Sequence, residues 1–410
     1  MITPLSLAIV ATVLAAAPAR SSAPACFPSL AALDVAVAQL ERGGPVEPFW
    51  ARVRACGRMP LVFGDTAIFF HRSNADRVEW RGDFTGWSSA PSARGRKIGA
   101  SEIWTFRRTF DRDARLDYKI VETRETWRVD PLNPFQQLGG YGPNSELRMP
   151  GWKPPAHAVW RPGVPRGAFP PAEAIHSKSL GYSVNVRVYV PARTAGAVLP
   201  ILYVTDGSDY WHEAMGGLST ALDNLVAEGR IAPVVVVFVD PWDAAHARNR
   251  RDEELVPNAR APGTPIEACR FCTFLVDELA PIVEARLRID PARRGILGTS
   301  LGGFLAAFMT YRYPDRFPLA GIQSPSLGPQ AWLPAAIAGA KRPGCRVAID
   351  VGTYEEQFLR DARALRHAFE ESGAEVSYRE VHDGHSWGHW RATVADVLAF
   401  LYPPEASGRR

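Results

Sequence analysis

The chain is poor in cysteine, with five among 410 residues. Cys269 and Cys272 form one C-x-x-C, but no second such pair and no neighbouring His pair completes four ligands. A zinc site is therefore not expected, and structural thiols or a local disulfide are. Cys26 and Cys56 bracket a helical segment and are candidates for a disulfide if the chain is exported. Cys345 makes the number odd, so at least one thiol stays unpaired. Net positive charge is small, +4, and most of it is Arg spread along the chain. No Lys/Arg run is dense enough to follow a phosphate backbone, so nucleic acid is excluded as a partner. After the first residues no apolar run approaches the ~20 residues needed to cross a bilayer. No internal repeat is visible.

What is present begins with an apolar leader, Leu5 to Ala17, followed by Ala17-Pro18-Ala19 and Ala23-Pro24-Ala25. Both triplets fit a small-x-small cleavage site. Residues 1–25 read as a secretory signal peptide, although no Lys or Arg precedes the apolar run. The expectation is a periplasmic or secreted protein with no stable membrane insertion after cleavage. The remaining length suits two domains.

Between Phe27 and Cys56, Leu30, Leu33, Val37 and Leu40 recur at helical spacing, and Gly43-Gly44-Pro45 breaks the run. From Pro60 to Met149 short β-rich runs appear at Ala67–Phe70, Arg77–Trp80, Ile103–Phe106 and Leu116–Ile120, separated by turn residues. This spacing predicts an all-β sandwich over 26–149, together with the helical segment. Residues 150–173 are rich in Pro, Gly and Arg and read as a linker. From 174 to 403 strands and helices alternate. Strands are expected at Val184–Val190, Ile201–Thr205, Val234–Val239, Arg294–Leu297, Leu319–Ser324, Arg346–Val351 and Val376–Val381. Helices are expected at Ile266–Arg288, Gly302–Tyr313, Gln357–Ser372 and Arg391–Leu401. Val234–Val239 is apolar throughout, which suits a strand covered on both faces. The pattern predicts an α/β-hydrolase fold, a mostly parallel sheet with helices on both faces, behind a smaller β-sandwich. Residues 404–410 read as a disordered tail.

Gly298-Thr299-Ser300-Leu301-Gly302 fits G-x-S-x-G between a short strand and a buried helix, the context that motif requires. A serine on so sharp a turn leaves no room for side chains two residues away, which explains both glycines. The turn also puts Ser300 at a helix N-terminus, where N–H groups favour developing negative charge. The Leu301 N–H is a candidate oxyanion donor. A second donor is expected after an early strand, at Gly207 or Ser208. The base is expected in the loop after the last strand, at His385, with His382 and His389 as rivals. The acid is expected after Arg346–Val351, at Glu355, with Glu356, Asp361 and Asp350 as alternatives. Trp211, Arg251 and Trp387 are candidates for substrate binding, with an Arg251–Glu254 ion pair as the alternative for Arg251. Acyl transfer by such a triad needs no metal or organic cofactor.

Asp206-Gly207…Trp211, Leu222–Leu225 with Gly229-Arg230-Ile231, Arg251–Leu255, Asp277–Pro281, the Ser300 turn and Gly384-His385-Ser386-Trp387…Trp390-Arg391 together resemble the Putative esterase (esterase D-like) family. The front half resembles enterochelin (enterobactin) esterases at Phe49–Val53, Gly57, Pro60–Val62, Asp130–Pro134 and Ser145–Pro150. That resemblance implies a β-sandwich before the hydrolase, a small-molecule ester as substrate, and hydrolysis of the tri-serine lactone of a catecholate siderophore with release of iron. Arg77–Trp87 is also similar to the strand of starch- and glycogen-type β-sandwich modules, which implies a carbohydrate esterase, feruloyl or acetyl xylan esterase-like. Trp80, Trp87 and Trp104 are then candidates for ring stacking, or else fill the sandwich core.

Overall fold

In a computed structural model the chain is described over residues 26–123, 125–245, 247–256 and 269–404. The expected signal peptide and tail lie outside these residues, apart from Pro404.

The Ser29 hydroxyl accepts the Ala32 N–H and starts the helix Leu30–Glu41. Gly43, at φ +87°, turns the chain, and Pro45 precedes a second helix, Val46–Ala55. A Cys26–Cys56 disulfide closes the far end of this hairpin. Nine strands follow: β1 (Leu61–Phe63), β2 (Thr66–Arg72), β3 (Val78–Gly82), β4 (Arg96–Lys97), β5 (Ile103–Thr109), β6 (Arg115–Glu122), β7 (Thr126–Arg128), β8 (Gln136–Gly139) and β9 (Gly142–Arg148). They form two antiparallel sheets, β1-β2-β5-β4 and β3-β6-β9-β8 with β7 beside β6. Side chains alternate along a strand, so β2 serves two cores. Ile68 and Phe70 pack on the helical hairpin with Leu33, Trp50 and Val53. Ala67 and Phe69 face the second sheet and meet Trp80, Tyr118 and Leu147. Trp80 and Trp104 are buried there and fill the core.

Residues 150–173 carry one short 3₁₀ turn, Ala156–Ala158, which packs on the helix Leu218–Ala227, and they end at Glu173, the first residue of a strand. Asn224 Nδ2 donates to the carbonyls of His157 and Val159, and the Gly167 N–H donates to Asp223.

The large sheet contains β10 (Glu173–His176), β11 (Ser183–Tyr189), β12 (Leu199–Val204), β13 (Val235–Asp243), β14 (Ile289–Thr299), β15 (Leu319–Gln323), β16 (Arg346–Gly352) and β17 (Glu375–Val381). Its order is β10-β11-β13-β12-β14-β15-β16-β17. Every pairing from β13 across to β17 is parallel, while β11 runs antiparallel to both β10 and β13. The apolar run in β13 is explained by two cores. Val235, Val237 and Val239 pack on one face with Leu305 and Phe274, and Val236 and Phe238 pack on the other with Leu222 and Trp390.

Several elements depart from expectation; β14 starts five residues before the expected Arg294 and β13 runs four beyond the expected Val239. β10 was not foreseen, because only Ile175 in it is buried and an edge strand needs little apolar signal. The expected helix Ile266–Arg288 is helical over Arg270–Thr273, passes through a π-turn at Phe274–Leu279, and ends at Glu284; Ile266 lies outside the described residues. The last helix begins at Trp387 rather than Arg391, behind the N-cap Ser386. Cys269 and Cys272 are joined as a disulfide, and Cys345 is free and buried.

Candidate active site

The carboxyl ends of β12, β14 and β15 meet at the turn that carries Ser300. In this residue β14 breaks and the helix Leu301–Arg312 begins, with φ +59° and ψ −118°. A non-glycine residue at positive φ is strained and persists only where its surroundings hold it. Here the Ser300 N–H donates to the Gln323 carbonyl at 2.9 Å, and the Ser300 carbonyl accepts the Ser326 N–H at 3.0 Å. The glycines are required by space. A Cβ on Gly298 would lie 2.3 Å from the Gly302 carbonyl oxygen, and one on Gly302 would lie 2.4 Å from Thr205 Oγ1.

Two other non-glycine residues with positive φ stand at neighbouring strand ends, Asp206 after β12 and Ser324 after β15. Asp206 precedes the short helix Gly207–Trp211. Gly207 and Leu301 are each the first residue of a helix, so neither N–H has an intrahelical acceptor. Gly207 is also forced by contact, since a Cβ there would lie 2.5 Å from the Val239 nitrogen.

His385 Nδ1 lies 2.5 Å from Glu355 Oε2. The Phe358 ring stacks on the imidazole at 3.9 Å between centroids, and the Trp390 ring meets it edge-on at 5.0 Å. Glu355 is almost wholly buried, and its other oxygen, Oε1, accepts the Ser324 hydroxyl at 2.6 Å and the Gly352 N–H at 2.5 Å. Burial alone would raise its pKa. The charge of His385 and the hydrogen bonds around the carboxylate outweigh burial and take it down to about 2. The pair His385–Glu355 is therefore assembled. No hydrogen bond joins the Ser300 hydroxyl to another side chain among the described residues, His385 included.

The rival residues have other partners. Glu356 is exposed and pairs with Arg360. Asp361 accepts the Leu327 N–H. Asp350 accepts from Gln323 and stands beside His389, whose Nε2 is 3.0 Å from Asp350 Oδ1 but off the line of a hydrogen bond. His389 is fully buried; its Nδ1 lies 3.1 Å from the Gly384 carbonyl and 3.4 Å from Glu355 Oε1. Burial disfavours its charged form, but the two carboxylates prevail and hold its pKa well above the usual value. His382, the other rival for the base, is partly exposed and bound to Asp113, because β17 is an edge strand there.

Arg251 does not pair with Glu254. Its guanidinium grips Asp206 with Nε and Nη2 at 2.7 and 2.9 Å and donates to the Thr299 carbonyl at 3.2 Å. It thus ties the Asp206 turn to the Ser300 turn. Trp387 is buried, edge-on to Tyr210 and Trp390. Trp211 is half-buried against Phe169 and Phe238, with Arg187 over its ring. Sequence reasoning missed Ser324, Asp206 and His389 as supports of the site. The signal for the first two is a backbone strain that no local motif announces. Among the described residues no group of three or more His, Cys, Asp or Glu is placed to hold a metal ion, and no helix is long and apolar enough to cross a membrane.

A strained serine turn at the end of a parallel strand, on a sheet of this order, is the architecture of an α/β-hydrolase-like esterase. The chain belongs to the Putative esterase family, whose model matches residues 177–401, and it is a carboxylic ester hydrolase. It is similar to the iron(III) enterobactin esterase of Dickeya dadantii (strain 3937), at 23% identity over 375 residues, 76% of this chain and 80% of that relative. A shorter stretch, 36% of this chain and 20% of the relative, is 27% identical to an endo-1,4-beta-xylanase/feruloyl esterase of Xylanibacter ruminicola. In fold the chain is similar to the enterobactin esterase of Shigella flexneri crystallised in the presence of enterobactin. That likeness has a TM-score of 0.68 at 22% identity and covers 88% of this chain and 98% of that one. It is also similar to the ferric enterobactin esterase of Salmonella typhimurium, with a TM-score of 0.67 at 21% identity over 83% and 94% of the two chains.

Proposed function

We propose that this chain is a serine esterase that opens the tri-serine lactone of a catecholate siderophore through an acyl-enzyme. The observation that carries the substrate reading is likeness to an iron(III) enterobactin esterase over 76% of this chain and 80% of that relative. Ser300 is the nucleophile, His385 the general base and Glu355 the acid. Ser300 Oγ attacks the ester carbonyl while its proton passes to His385 Nε2. Glu355 holds the other ring nitrogen, fixing the tautomer and stabilising the imidazolium. The N–H groups of Leu301 and Gly207 receive the oxyanion. His385 then returns the proton to the leaving serine hydroxyl, and water repeats the sequence to free the acid. Residues 26–149 form a front domain built as a β-sandwich, 150–173 a linker and 174–403 the catalytic domain. The leader sends the protein to the periplasm or beyond.

The test is ring opening of iron-loaded and iron-free enterobactin by wild type and Ser300→Ala. Turnover by wild type, lost by about three or more orders of magnitude in the variant, is expected. No turnover of either form of the ligand ends the siderophore reading.

A second reading, a carbohydrate esterase, is favoured by one surface feature. Trp87 and Trp127 stack at 6.4 Å, with Trp127 42% exposed and Arg81 over its ring. Release of ferulate or acetate from xylan fragments by the wild-type protein, without enterobactin turnover, would select it.

A further inference from the structure

Arg115 is the first residue of β6, in the front half of the chain, and its side chain is fully buried. One side of its guanidinium belongs to the front sheets. Nε and Nη2 donate to Glu146 Oε1 at 2.9 and 2.7 Å, and Nη2 donates to Asp117 Oδ1 at 2.5 Å. The other side reaches the loop between β17 and the last helix. Nη1 donates to Ser386 Oγ at 2.7 Å and to Asp383 Oδ1 at 3.2 Å. The Arg115 N–H donates to the His382 carbonyl at 3.1 Å. These three loop residues surround His385 in the chain.

The glycines of the loop mark the same contact. A Cβ on Gly388 would lie 2.0 Å from Arg115 Cζ, and one on Gly384 would lie 1.9 Å from Asp83 Cγ. Asp83 in turn accepts the Asp117 N–H at 2.7 Å. The front chain also touches the acid's neighbour, because the Tyr354 hydroxyl donates to Asp111 Oδ2 at 2.9 Å. Residues 111–115 therefore bear on both the loop before His385 and the residue before Glu355. We propose that Arg115 is the positioning residue of the catalytic histidine: it clamps the loop from His382 to Gly388 and so holds His385 against Glu355. The inference rests on His385 being the general base. Its consequence is that the front sheets are part of the catalytic apparatus, whatever ester they help to bind.

Only Arg fits this role. A planar fork with five donors serves partners on both sides at once, whereas a lysine ammonium is a single point on a flexible stem. A buried ion-pair cluster that merely cements two sheets would affect folding alone. A clamp on the base affects kcat in molecules that remain folded.

The test uses the full chain with 4-nitrophenyl acetate, a substrate too small to need the front sheets for binding. Arg115→Lys and Asp383→Asn, singly and together, are compared with wild type and with His385→Ala, and near-UV circular dichroism monitors the fold. His385→Ala should lose nearly all turnover; if it stays active, the assignment of the base has failed. With that control inactive, both single variants should lose about 10- to 100-fold in kcat with KM within about twofold, as small misplacements of catalytic groups do. The double variant should be no worse than the poorer single, since both changes break one contact. A folded variant that keeps kcat within about twofold of wild type overturns the proposal. If Arg115→Lys does not fold, Asp383→Asn, nearly isosteric, decides the matter by the same criterion.

Discussion

The Ser324 hydroxyl donates to Glu355 Oε1 at 2.6 Å, and this leaves Oε2 to face His385. The same hydroxyl accepts from Trp390 Nε1 at 2.9 Å, so it stands between Glu355 and a ring packed on His385. A hydrogen bond to a charged group contributes about 1.5–3 kcal/mol. Ser324→Ala is expected to lower kcat by about tenfold or more and leave KM nearly unchanged, measured with a soluble nitrophenyl ester.

Glu355→Gln keeps the shape of the side chain and removes its charge. The imidazole then loses both its preferred tautomer and the partner of its cationic form. By analogy with other triads, kcat should fall by about four orders of magnitude. Glu356→Gln, at an exposed position paired with Arg360, should stay within about twofold of wild type. Equal losses in the two variants would remove Glu355 from the site.

Gly298→Ala introduces a Cβ 2.3 Å from the Gly302 carbonyl oxygen, a backbone atom that cannot swing aside. The turn must open, and Ser300 loses its position. Labelling by a fluorophosphonate probe should become undetectable at times when wild type is fully labelled. The melting temperature should fall as well, by the equivalent of about 1–3 kcal/mol of overpacking.

Acid stability should depend on Glu355. Its pKa in the folded chain is about 2, below the ordinary glutamate value of about 4.3. The stabilisation is thus fully present above about pH 4.3 and is lost as pH falls toward 2. Between those limits Glu355→Gln should show a shallower loss of melting temperature than wild type.

Glu254 should behave in the opposite sense. It is buried with no hydrogen-bond partner on either oxygen among the described residues, and burial pushes its pKa up to about 8. The folded chain binds its proton more tightly than the unfolded chain does. Ionising Glu254 therefore costs stability as pH rises from about 4.3 to 8. Glu254→Gln should be neutral at pH 4 and stabilising at pH 9, by an amount on the order of a few kcal/mol, read from melting curves at the two pH values.

Arg251 illustrates where local reading stops. Its spacing from Glu254 is right for a helical pair, and the sequence offers no reason to prefer Asp206, 45 positions away. The preference arises because β12 and β14 lie side by side, which brings the Asp206 turn next to the Ser300 turn. His389 is a similar case. Nothing in Gly384–Arg391 says that it faces two carboxylates, because Asp350 and Glu355 reach it only through the neighbouring strand β16. By contrast, the two faces of β13 were readable from a run of apolar residues, since burial on both sides needs no distant partner to be recognised.

The amino-acid order alone determined the serine turn, the alternation of strands and helices, and the residues competing to be base and acid. Those features depend on periodicity and on backbone crowding within a few residues. Which carboxylate meets His385, which anion Arg251 binds, and that Arg115 of the front sheets grips the histidine loop were decided only by the assembled sheets. Such contacts join residues up to 271 positions apart, and they exist only once strand order and packing have brought those positions together.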